Sequence, residues 1–74
     1  MSDEAVIIHA RFAANGTIAE ISERPQGLNP QEWFDFLSYR VPLTYQALAG
    51  GRGVFRLTRA DVDAFKVEAA TKAA

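Results

Sequence analysis

Ala5–Ser22 reads AVIIHARFAANGTIAEIS, and the way this stretch turns back on itself decides the fold. Two β-rich segments, AVIIHARF and TIAEIS, flank AANG. Asn-Gly between such segments is a strong hairpin signal, because both residues accept positive φ at low cost. A two-residue turn at Asn15 and Gly16 sets Phe12 against Ala19, Arg11 against Glu20, Ala10 against Ile21 and His9 against Ser22. Ile8, Ala10, Phe12, Ala19 and Ile21 then share one face, and Ile7, His9, Arg11, Ile18 and Glu20 share the other. The opposite charges of Arg11 and Glu20 support this register. A three-residue loop with Gly16 as a bulge is the second choice, and it sets Arg11 against Ala19.

Beyond the hairpin, ERPQGL connects to NPQEWFDFLSYR, which reads as a helix. Asn29 suits the N-cap, Pro30 the first helical position and Glu32 the third residue of a capping box. At ~100° per residue, Trp33, Phe34, Leu37 and Val41 fall on one side, Phe36 widens the arc and Tyr39 lies beyond it. Pro42 ends the helix. The stretch LTYQALAG reads as one or two further helical turns over 43–49, with Tyr45 and Leu48 inward. GVFRLT is a strand with Phe55 and Leu57 on one face and Arg56 on the other. TRADVDAFKVEAATK is a second long helix, capped by Thr58 with Asp61 near its positive end. Val62, Phe65 and Ala69 form its apolar stripe.

The expected fold is therefore α+β: a three-stranded antiparallel sheet in the order ββαβα, with two helices on one face and a short extra helix near 43–49. Seventy-four residues fit one domain spanning 1–74, with frayed ends near 1–4 and 71–74. A domain of this size buries only about 60% of its unfolded surface. The core is thin, and with no cysteines neither disulfides nor thiolate metal sites supplement it.

The net charge of −1 offers no general attraction to nucleic acid or anionic lipid. The longest apolar run near the start, Ala5–Ile8, is too short for a signal or membrane segment, so a cytoplasmic location is expected.

The glycine-rich AGGRG, residues 49–53, leads into a strand and lacks the lysine and hydroxyl of a phosphate loop, so it is read as a connector. His9 and Ser22 face each other in the hairpin, but no orienting acid or nucleophile-elbow sequence accompanies them. Asp61 and Asp63 point in different directions and lack a calcium loop's glycine. No cofactor, metal or membrane is expected, and the chain is read as non-catalytic.

Phe36, Tyr39 and Tyr45 exceed what a thin core needs, and Ile7 and Ile18 sit on the outer hairpin face. Exposed aromatics and apolar patches mark interfaces. These five residues are the candidate contact surface of a protein-interaction or self-associating module, with a second copy or another protein as partner. The alternative is anion or nucleic-acid binding through Arg11, Arg52, Arg56 and Arg59. Base-binding sheets usually offer stacking aromatics, and this outer face has none, which ranks nucleic acid lower.

Overall fold

The structure is a computed structural model that describes residues 4–73, with side chains described to residue 71. Its elements are β1 (Ala5–Phe12), β2 (Ile18–Ile21), α1 (Pro30–Arg40), a single 3-10 turn (Pro42–Thr44), β3 (Tyr45–Leu48), β4 (Arg52–Thr58) and α2 (Arg59–Ala73). The four strands form one sheet in the order β2-β1-β4-β3, antiparallel at every pairing. The class is α+β, as the patterning indicates.

Two parts of the sequence reading need correction. The sheet has four strands where three are expected, because Tyr45–Leu48 is a strand and 43–49 is not a helix. Only Pro42–Thr44 turns helically. YQAL tolerates a helix locally, but tertiary packing overrides that preference. Gly50 and Gly51 hold φ of +79° and +72°, which lets β3 fold directly back onto β4. The Tyr45 ring meanwhile settles against Phe55 and Phe34 at 5.1 and 5.7 Å between centroids.

The second correction is to the first hairpin, where each candidate register holds in part. Gly16 (φ +88°) closes a three-residue loop, with its N–H donating to the Ala13 carbonyl and the Ala13 N–H donating to that of Thr17. Phe12 therefore faces Ile18 and not Ala19. Ala19 is then an extra residue, a β-bulge that restores Arg11↔Glu20 and Ala10↔Ile21. The bulge brings Ile18 to the inner face, where it is buried.

The long central pairing runs from Ala5↔Thr58 to Arg11↔Arg52 and joins the first strand to the last. It fixes which β1 residues face the helices. Val6, Ile8, Ala10, Ile18, Ile21, Phe55 and Leu57 from the sheet bury against Trp33 and Leu37 of α1 and Val62 and Ala69 of α2. Both helices thus lie on one face.

The caps are those the sequence indicates. Asn29 Oδ1 accepts the Glu32 N–H while Glu32 Oε1 accepts the Asn29 N–H, and Thr58 Oγ accepts from Asp61. Of the ends expected to fray, 1–3 and 74 lie outside the described residues, while α2 continues through Thr71 to Ala73.

Candidate interaction surface

The helices cover one face of the sheet and leave the other open. Strand alternation puts Ala5, Ile7, His9 and Arg11 of β1 on the open face. The registers add Glu20 opposite Arg11, Arg52 opposite Arg11 on the other side, Val54 opposite His9 and Arg56 opposite Ile7. Gln46 and Leu48 complete it from β3, opposite Val54 and Arg52.

Ile7 and Leu48 are 44% and 36% exposed, while Val54 between His9 and Gln46 is shielded to 2%. A sheet face left uncovered normally alternates to polar residues. This one keeps an apolar centre.

The charged groups around that centre are unevenly satisfied. Arg11 pairs with Glu20 at 3.1 Å. Among the described residues the Arg56 side chain donates to the Gln46 side-chain oxygen alone, at 2.8 Å, and that of Arg52 to the Ala49 carbonyl alone, at 3.3 Å. Among the described residues, neither Arg52 nor Arg56 has a carboxylate partner.

Arg59 is different. It donates to Glu23 (2.9 Å) and Asp63 (3.2 Å), and Lys66 reaches Glu23 at 2.7 Å. Hydrogen bonds from Arg59, and then from Lys66, hold the Glu23 carboxyl down at about 2, against an ordinary 4.5, and its carboxylate in turn raises the Arg59 pKa. Glu23 also carries a positive φ of 63°, which only glycine adopts without strain. The ion pairs pin this corner, so Arg59 is a structural clamp set apart from the three arginines of the open face.

The five candidate apolar contacts also divide. Tyr39 is 82% exposed and Ile7 stands on the open face. Phe36 is half-buried between α1 and α2, stacked on Trp33 at 5.9 Å and edge-on to Phe65 at 6.1 Å, with the Arg40 guanidinium over both Phe rings. Tyr45 is half-buried on the inner face, and Ile18 is buried. The aromatic load that looked too large for the core is absorbed by the fourth strand, through a cluster of Phe12, Phe34, Tyr45 and Phe55.

Leu48 and Gln46, with the shielded Val54 between the strands, are the open-face residues that sequence reasoning missed. Their signal was the pair of alternating segments YQAL and VFRL about two glycines, a second hairpin pattern.

The glycine-rich loop turns the chain: Ala49–Gly51 links β3 to β4, and the Gly51 carbonyl accepts the Phe12 N–H. Ser22 Oγ accepts the backbone N–H of His9, so the hydroxyl serves the hairpin. The β2 edge of the sheet is partly closed, because the Ile18 N–H donates to the Gln31 side chain. Among the described residues no helix is long and apolar enough to cross a membrane. Compared with protein families, with curated proteins and with solved structures, the chain finds no match.

Proposed function

We propose that the protein is a non-catalytic, cytoplasmic protein-interaction module that docks through its open sheet face. The observation that carries this reading is that Ile7 and Leu48 stand exposed about the shielded Val54 on a face that no helix covers. Apolar groups of this kind in a ring of polar side chains are the ordinary composition of a docking patch. Tyr39, exposed on α1, is a candidate for a separate, peripheral contact.

Site-directed photocrosslinking in the native cell tests the reading. A benzophenone side chain placed at Ile7 or Leu48 should give a discrete protein adduct. The same group at Val67, more open than either on α2 but off the sheet, should give none. Equal labelling at Val67, or no adduct at either sheet position, would overturn it.

A further inference from the structure

We infer that the occupant of the open sheet face is an acidic segment of a different protein, with apolar side chains interspersed among its carboxylates, and not a second copy of this chain. The inference rests on the proposed docking role of that face and adds the chemistry of the partner.

The charge layout supports it. Arg11, Arg52 and Arg56 stand on this face, and Glu20 is the one carboxylate the strand registers place there among the described residues. The chain's other described acids in helices, Glu32, Asp35, Asp61, Asp63 and Glu68, lie on α1 and α2, behind the sheet. The open face thus sets three arginines against one glutamate, whereas the acids of the helices share their surface with Arg40, Arg59 and Lys66.

Arg11 and Arg52 are direct cross-strand neighbours, an arrangement that costs stability unless anions offset it. Glu20 serves Arg11. Arg52 and Arg56 are left with neutral oxygens, an amide and a backbone carbonyl. Incoming carboxylates on those two guanidiniums would complete the electrostatics, and the exposed Ile7 and Leu48 would take the partner's apolar side chains.

The same layout disfavours a second copy. A symmetric, face-to-face dimer brings each copy's arginines against the other's, and like charges juxtaposed across an interface are a barrier to association. Placing one copy's sheet on the next copy's helices brings the arginines against a mixed surface where Glu68 and Asp63 already pair with Arg40 and Arg59, and it builds a ring or filament instead of a simple dimer. Nucleic acid would satisfy the arginines but leave the apolar centre unused, and the face has no aromatic ring on which a base could stack.

Selection from a library of short random peptides on the immobilised full chain tests this. The enriched pool should interleave Asp or Glu with Leu, Ile, Val or Phe. A labelled peptide from that pool should shift the amide resonances of Ile7, Leu48, Val54 and Arg56. The Arg52→Glu/Arg56→Glu variant should bind it about tenfold or more weakly, while Arg52→Lys/Arg56→Lys keeps most of the affinity. Both arginines are exposed, and glutamate at position 52 would face Arg11, so the reversed variant should melt no lower than the wild type.

Enriched peptides that shift the sheet-face resonances but lack acids, and bind the reversed variant equally well, would overturn the acidic partner while leaving the docking face in place. Failure of every peptide to shift those resonances would overturn both readings. Tighter binding of a mixed-sequence single-stranded RNA on the same resonances would overturn the inference in favour of nucleic acid. An apparent molar mass from light scattering that rises with protein concentration from monomer towards dimer would overturn it in favour of a second copy.

Discussion

Replacing Gly53 with alanine places a Cβ on the inner face of β4, where the Tyr45 ring lies across the glycine. That Cβ would stand 2.2 Å from Tyr45 Oη and 2.6 Å from Cε1 and Cζ, so the ring must swing away. Leaving its seat costs the ring its contacts with Phe55 and Phe34, at 5.1 and 5.7 Å, each worth ~0.5–1.5 kcal/mol. Overfilling a packed site gives a comparable figure of ~1–3 kcal/mol. Alanine's better strand preference returns ~0.5–1 kcal/mol, because glycine loses more backbone freedom on folding. The net loss is about 1 kcal/mol, which at ~4–8 °C per kcal/mol for a domain of this size lowers the melting temperature by roughly 4–8 °C.

Because the cost arises from one ring, it should vanish when the ring is gone. In a Tyr45→Ala background, Gly53→Ala should be neutral or slightly stabilising. Thermal melts of the wild type, the two single variants and the double variant give the coupling directly. An equal loss in both backgrounds would refute the packing of β3 on β4 on which this reasoning depends.

Other outcomes follow from the same structure. Trp33 is fully buried with its indole N–H on the Ser22 carbonyl, so Trp33→Ala should lose ~3–5 kcal/mol in chemical denaturation. Phe36→Ser should be milder than Trp33→Ala yet clearly destabilising, since its ring joins α1 to α2, and a fully wild-type melt would contradict that placement. Gly16→Val forces a β-branched residue to φ near +88° and should cost ~1–2 kcal/mol by the same denaturation assay.

Glu23 sets an acid dependence. Its folded pKa, about 2, lies below the ordinary 4.5, so its stabilisation is fully present above pH 4.5 and is lost as pH falls towards 2. The drop corresponds to ~3 kcal/mol at most, and screening of the half-exposed partners reduces it to about 1–2 kcal/mol. Glu23→Gln should therefore flatten the stability profile between pH 4.5 and 2.

The elements legible in the sequence were those whose cause is local. Asn29, Pro30 and Glu32 sit within one helical turn, so the start of α1 follows from residue types at fixed spacing. Thr58 and Asp61 do the same for α2, and Asn15-Gly16 marks the first turn. The bulge at Ala19 was hidden, because it reconciles a three-residue loop with the Arg11–Glu20 pair, and either alone gives a plausible register.

Strand β3 was hidden because YQAL tolerates a helix, and what makes it extended is the Tyr45 ring seated on Phe55 and over Gly53. The Glu23 clamp joins residues 36 positions apart and leaves no short-range trace in ERPQ. The open face was half legible. Ile7, Arg11 and Arg56 follow from alternation within their strands, whereas the juxtaposition of Arg11 with Arg52 and of Val54 with His9 depends on pairing between the first strand and the last.

The proposed docking role requires that one sheet face be open. Side-chain methyl NMR with a soluble paramagnetic agent measures this directly. Ile7 and Leu48 methyl signals should broaden strongly, Ile8 and Leu57 should be protected, and the pattern should not change as the protein is concentrated. Protection of Ile7 and Leu48 equal to that of Ile8 and Leu57 at every concentration would show that the chain covers this face itself and would contradict the account.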